Sequence, residues 1–180
     1  MLPVILYPYM YVIFLIGLFL TSKISVDIAE KGIDNLNVIA LIYNVYCFVI
    51  VIINAVCMVK GSMTTTEVAR MNLIIKCVQI PAYITHFILG LVGFFLGIWG
   101  IGLLLWAIFI DVATICFTGI NSIGCSIRMY KDKVFSKCKS IFMGIGCFLF
   151  CVDIAIAIIY YIKAISVERH WVKNNKKLSI

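Results

Sequence analysis

Two aspartates and one histidine lie in stretches that are otherwise almost free of charge. Asp111 is the only formal charge in residues 77–127, Asp153 is the only one in residues 140–162, and His86 has equally apolar surroundings. An ionised carboxylate in hydrocarbon costs about 3 kcal/mol or more, so each aspartate must be protonated, solvated or bound to a cation. Two carboxyl groups at a similar depth, with an imidazole nearby, would suit a proton or cation relay.

Polar side chains also recur along one face of the helix predicted around Asp111. Their spacing of three or four residues matches the repeat of an α-helix, and a polar face of this kind avoids lipid. Together with polar residues of neighbouring helices, they form a candidate ion, proton or interhelical site: Asp111, Asp153, His86, Thr114, Thr118, Asn121, Asn44 and Asn54.

The candidate site has a second interpretation, which is structural. Protonated Asp111 and Asp153 can donate hydrogen bonds to neighbouring helices and fasten the bundle, and this role needs no transport function. We expect no Lys or Arg within the spans to pair with either carboxyl group. The structural interpretation is the preferred one, and a relay is the alternative.

Uncharged runs of spanning length predict the elements that carry these residues. The chain is 64% hydrophobic and 13% charged, and about 20 apolar residues cross a bilayer as a helix. We predict an all-α, polytopic transmembrane bundle that forms one integral membrane domain over residues 1–180. Its five helices lie at about 3–21, 37–59, 72–96, 101–126 and 140–162, followed by a basic tail at 163–180. The count falls to four if the first segment is shallow or is cleaved as a signal peptide, although we expect it to be retained.

Two connections between the predicted helices have recognisable local signals. Thr64-Thr65-Thr66-Glu67 offers a capping box before the third helix, and it places the first turns, including Lys76, at the membrane interface. The glycine-rich segment at 97–102 permits a tight reversal, and Trp99 suits an interface. The third and fourth helices are therefore predicted to form a hairpin.

Basic residues cluster beside the predicted spans, where anionic lipid headgroups are their natural partners. These candidate headgroup contacts are Arg128, Lys131, Lys133, Lys137, Lys139, Lys176 and Lys177. Five crossings would leave eight basic residues on one side and seven on the other, so the positive-inside rule hardly discriminates. Incomplete crossing by one segment and dual insertion both stay open, and we expect the loop at 128–139 to be cytoplasmic.

Several functional classes are disfavoured by the sequence. The net charge of +7 belongs to residues beside membrane segments rather than to a polar domain, so nucleic acid is not an expected partner. Most of the eight cysteines lie in or beside apolar helices without a Cys-x-x-Cys pair, so we predict neither a metal site nor another cofactor. No nucleophile elbow, zinc-protease motif or phosphate loop is present, and we predict that the chain is not an enzyme.

Three parts of the sequence carry a family resemblance that covers roughly residues 67–164: Met71-Asn72-Leu73-Ile74-Ile75-Lys76-Cys77-Val78-Gln79-Ile80-Pro81-Ala82-Tyr83, Asp111 and Cys151-Val152-Asp153. In these residues the chain resembles a family of small multi-pass membrane proteins of unknown function from low-GC Gram-positive bacteria. It implies a bacterial cytoplasmic membrane and a recurring Lys76-x-x-Gln79-Ile80-Pro81 entry to the third helix. It implies no substrate.

The sequence therefore favours an accessory or interaction protein of the cell membrane. Its partners would be the lipid bilayer, a second copy of the chain or another membrane protein. One alternative is a small proton- or cation-coupled transporter or channel that uses Asp111 and Asp153. The other is an immunity or stress-protection protein against membrane-active peptides.

Overall fold

The fold of the chain is all α-helical in a computed structural model, which describes residues 2–21, 26–61, 63–149 and 151–178. Side chains are described at 4–13, 16–17, 38–61, 63–149, 151–171 and 173. The described helices are α1 (Leu2–Thr21), α2 (Val26–Lys60), α3 (Thr65–Phe95), α4 (Ile101–Lys131), α5 (Lys137–Gly146) and α6 (Val152–Leu178), with a 3₁₀ turn at Gly97–Gly100. The predicted all-α class is confirmed.

Three described segments are long and apolar enough to cross a membrane: Val38–Lys60, Thr65–Phe95 and Gly97–Lys131. Within their most apolar windows only 11%, 33% and 28% of the residues, respectively, are buried by the rest of the chain. Apolar faces that the protein itself does not cover need lipid or another apolar partner. These segments support the predicted association with a membrane.

The capping box predicted before α3 is confirmed. The backbone N–H of Thr64 donates to Oε2 of Glu67 at 2.8 Å, and the backbone N–H of Glu67 donates to Oγ1 of Thr64 at 3.3 Å. This reciprocal pair satisfies donors that a helix N-terminus leaves without intrahelical partners. Helix α3 accordingly begins at Thr65, seven residues before the predicted start at 72.

The predicted continuous helix at 140–162 is wrong, since the segment is divided between α5 and α6. Helix α5 ends at Gly146, the following turn includes Cys151 with a φ of 64°, and α6 begins at Val152. Gly144 and Gly146 lower the helix propensity of this segment. A Cβ atom at Gly146 would come within 2.6 Å of Ile156 Cδ1, so the missing side chain also allows α6 to pack closely.

The chain divides into two compact units. Unit 1 contains Met1–Ile50 and Gln79–Thr114, and unit 2 contains Val51–Val78 and Ile115–Ile180. Helices α2, α3 and α4 each contribute residues to both units. The single domain predicted over residues 1–180 stays a prediction.

Candidate functional site

A buried ion pair lies in unit 2, between α3 and α6. Nζ of Lys76 is 2.7 Å from Oδ2 of Asp153, and the two side chains are 0% and 2% exposed. Lys76 also donates to Oγ1 of Thr118 on α4 at 2.7 Å. The other carboxylate oxygen of Asp153 accepts the backbone N–H of Ile154 at 2.8 Å, in the first turn of α6. One ammonium group therefore joins three helices.

Lys76 corrects one expectation from the sequence. Its side chain is fully buried and gives Asp153 a basic partner, which was not expected. The reason is the early start of α3, which puts Lys76 three turns into the helix, and the start of α6 at Val152, which brings Asp153 into its first turn. A buried charge without such a partner would be strongly unfavourable.

Neutral hydrogen bonds extend this polar core of unit 2. Ser122 Oγ donates to Oδ1 of Asn72 on α3 at 2.9 Å and lies 3.0 Å from the carbonyl of Thr118. On α4 and α5, the side chains of Ser126 and Ser140 exchange hydrogen bonds with each other's backbone carbonyls, both at 2.6 Å. These contacts connect helices by polar groups that the protein hides from lipid.

The histidine and the other aspartate of the candidate site meet in unit 1. Nδ1 of His86 on α3 lies 2.8 Å from Oδ1 of Asp111 on α4. His86 is fully buried and packs edge-on against Trp106, with ring centroids 6.0 Å apart, whereas Asp111 is 20% exposed. His86 and Asp111 form a dyad, here named the α3–α4 dyad, whose carboxylate is open on one side.

The close approach of α3 and α4 creates the surroundings of this dyad. Gly97 has a φ of 61°, which allows the chain to reverse before α4. The backbones of Gly93 and Gly100 then lie so near that a Cβ atom at Gly100 would collide with the Gly93 backbone. The predicted hairpin is confirmed by these contacts and by the pairing of His86 with Asp111.

A second polar cluster of unit 1 centres on Asn44 of α2. Tyr7 of α1 donates its hydroxyl hydrogen to Oδ1 of Asn44 at 2.6 Å, and Nδ2 of Asn44 donates to the Tyr11 hydroxyl and to the Ala40 carbonyl, the latter at 2.8 Å. Tyr11 lies edge-on to Trp106, with ring centroids 6.4 Å apart. Asn44 is therefore an anchor between α1 and α2.

The remaining predicted site residues have more local roles. Thr114 is buried and donates to the carbonyl of Ile110 at 2.7 Å, one turn earlier in α4. Asn121 is fully buried, and within the described residues neither polar atom of its amide has a hydrogen-bond partner. The same holds for Nδ2 of Asn54, a partly buried residue of α2. Asn121 and Asn54 do not join either carboxylate by a described hydrogen bond.

The basic segment at 128–139, which was predicted to be a loop, includes the end of α4 and the start of α5, and its basic side chains are largely exposed. Arg128 is the exception, because its Nε lies 2.8 Å from Oδ2 of Asp132 and its Nη1 donates to the Gly61 carbonyl at 3.4 Å. The exposed members of the predicted headgroup set are Lys131, Lys133, Lys137 and Lys139. The side chains of Lys176 and Lys177 lie outside the described residues. Headgroup binding by this set stays a prediction.

Lys76 is the main functional candidate that the sequence interpretation missed, and a signal for it exists. On α3, Asn72, Lys76, Gln79, Tyr83 and His86 recur at spacings of four, three, four and three, which is one helix face. All five are buried. Gln79 donates through Nε2 to the Val4 carbonyl at 3.0 Å, so this face meets α1 as well.

In the described part of the chain, no three His, Cys, Asp or Glu side chains lie close enough together to bind a metal ion.

Three comparisons with known proteins found no match: no protein-family model matches the chain, and no curated protein or solved structure is significantly similar to it.

Proposed function

We propose that this chain is a multi-pass accessory protein of the cell membrane, which binds lipid and a partner membrane protein through its apolar helix faces. The observation that carries this proposal is the low self-burial of the three spanning segments, at most 33% in their most apolar windows. These faces are available to lipid and to other helices at once, as expected of an interaction protein.

The ion pair of Asp153 supports an accessory role over ion transport. Asp153 pairs with Lys76, which also donates to Thr118, and it accepts a backbone N–H in the first turn of its own helix. The negative charge of Asp153 is already neutralised by Lys76, so a transported cation would bind there only weakly. Its role is to fasten α3, α4 and α6 within unit 2.

A bacterial cytoplasmic membrane is part of the same proposal. It rests on the resemblance of residues 67–164 to small multi-pass proteins of low-GC Gram-positive bacteria. Exposed Lys131, Lys133, Lys137 and Lys139 would then contact anionic headgroups, each with about 1 kcal/mol of favourable energy near such a surface. Protection against a membrane-active peptide is one form that an accessory role could take.

A proton- or cation-coupled activity is the second candidate, and the α3–α4 dyad favours it. The dyad combines a buried imidazole with a carboxylate that is 20% exposed, so one member can exchange protons with its surroundings while the other relays them. Asp153 is not part of this second candidate, because its charge is already paired with Lys76.

Photo-crosslinking in membranes tests the accessory role. A photoreactive amino acid would replace Trp99, which is 95% exposed, or Phe142, which is 82% exposed. We expect at least one position to give an adduct of fixed mass with a single protein. The matched control is Ile110, which is fully buried and should give no intermolecular adduct.

The result that would contradict the accessory role is equally definite. If further exposed positions on α2, α4 and α6 gave only lipid adducts in the native membrane, the chain would have no protein partner there. The proposal would then be withdrawn in favour of the second candidate.

A further inference from the structure

The α3–α4 dyad lies on a cleft whose remaining walls are apolar. The cleft has a volume of about 250 Å³, and its walls are Phe87, Gly90, Leu91 and Phe94 of α3 and Leu104, Ala107 and Ile108 of α4. We propose that this cleft binds a lipophilic ammonium cation that arrives from the lipid, and that a proton on His86 competes with it. This inference goes beyond the accessory role, which needs no small ligand.

Charge is the first argument for a cation. Among the described side chains of unit 1, Asp111 is the only Asp, Glu, Lys or Arg. One of its oxygens, Oδ1, is engaged by His86, whereas Oδ2 makes no described hydrogen bond. A partly exposed carboxylate in apolar surroundings attracts a monocation strongly, because little water screens the interaction.

The walls of the cleft are the second argument, since they select an organic cation over an inorganic one. A metal ion requires several oxygen or nitrogen ligands, and no three His, Cys, Asp or Glu side chains converge in the described residues. The walls instead offer two aromatic rings, Phe87 and Phe94, which can attract an ammonium group through their faces. Both rings are exposed, so a ligand dissolved in lipid can reach them.

The geometry of His86 explains the competition with protons. In the neutral tautomer that donates through Nδ1 to Asp111, the other nitrogen, Nε2, carries no hydrogen. Nε2 is buried and has no hydrogen-bond partner among the described residues. A proton at Nε2 would give an imidazolium that neutralises the carboxylate, and the attraction for a second cation would be lost.

The other titratable groups that the structure describes in unit 1 do not provide this switch. Trp106 packs on His86 and does not titrate near neutral pH, and Tyr11 of α1 reaches the dyad only through Trp106. The remaining described candidates are Tyr7, Tyr9, Tyr43, Tyr46, Cys47 and Tyr83, all of them uncharged at neutral pH by their type. Among the described groups, Asp111 and His86 therefore carry the effect.

The test measures, by calorimetry, the binding of benzyltrimethylammonium to the purified chain in mild detergent. Binding should be about tenfold weaker at about pH 5.5 than at about pH 8, because a proton on His86 competes with the probe. His86→Gln should make the affinity for the probe the same at both pH values. Asp111→Asn should abolish binding at both pH values while the thermal unfolding of the protein is unchanged.

Two further measurements keep the proposal falsifiable. Ile108→Trp, at an exposed position of the cleft wall, should block the probe without altering the dyad. The uncharged isostere neopentylbenzene should bind far more weakly than the cation. Equal binding of cation and isostere, or full binding in Asp111→Asn or Ile108→Trp, would overturn the proposal. Because the assay contains no partner protein, neither result decides the accessory role.

Discussion

Nζ of Lys76 lies 2.7 Å from Oδ2 of Asp153, although the two residues are 77 positions apart in the chain. Both side chains are buried, so neither charge has the hydration that would stabilise it alone. The same lysine contacts Thr118, which ties α4 to the pair. Unit 2 therefore depends on an interaction whose two members have to be present together.

The first prediction follows from this dependence. Lys76→Met should destabilise the protein by about 3–5 kcal/mol, because it leaves Asp153 buried without its partner. Adding Asp153→Asn removes that charge and should recover most of the loss. Arg128→Met is the matched control, since the Arg128–Asp132 pair is partly exposed and should matter by less than about 1 kcal/mol. Thermal unfolding in mild detergent measures the stability of the three variants. An equal loss of stability in Lys76→Met and in the double variant would contradict the prediction.

The second prediction concerns the hairpin between α3 and α4. Gly100→Ala should destabilise unit 1 by about 1–3 kcal/mol, because the new Cβ atom would collide with the Gly93 backbone. Gly102→Ala offers a control two residues away, where nothing lies within 4 Å of the added carbon. It should be neutral or mildly stabilising in a helix. Similar unfolding temperatures for the two variants would show that the close approach of the helices is not required.

The third prediction separates hydrogen bonding from charge in the α3–α4 dyad. Asp111→Asn keeps an oxygen that can accept from His86 Nδ1, so the bundle should stay as stable as the wild type. Asp111→Leu removes the acceptor and should cost about 1 kcal/mol. Phe109→Leu, at an exposed neighbouring position, controls for changes of apolar surface. Equal unfolding temperatures for Asp111→Leu and wild type would exclude a fastening role for this residue.

The fourth prediction tests orientation through Cys138, which is exposed beside the basic loop. In a variant that keeps only this cysteine, an impermeant thiol reagent should label Cys138 after permeabilisation and leave it unlabelled in intact cells. Labelling of half the molecules in intact cells would indicate dual insertion. Labelling of all of them would place the loop outside and reverse the orientation.

The sequence was sufficient for the features that depend on neighbours along the chain. Uncharged runs indicated the apolar helices, Thr64 and Glu67 indicated the start of α3, and the glycines at 97 and 100 indicated the reversal before α4. Each of these signals is a local preference of the backbone or of solvation. The structure has all three.

The contacts between distant residues could not be obtained in the same way. Lys76 stood close to Glu67 and Arg70 in sequence, which favoured a position at the membrane interface, and its burial depends on packing against α4 and α6. The break between α5 and α6 could not be predicted either, because glycines such as Gly144 and Gly146 also occur in unbroken transmembrane helices that pack closely. The line of buried residues from Asn72 to His86 was the available clue to a polar face on α3.

Ion flux through the purified chain in liposomes tests the central claim most directly, namely that the chain is an accessory protein of the membrane and does not transport ions. We predict that pH gradients and cation gradients decay at the same rate in liposomes with wild-type protein, with Asp111→Asn and with no protein. A flux in the wild type that Asp111→Asn abolishes, at an unchanged unfolding temperature, would contradict the account and establish the proton- or cation-coupled alternative.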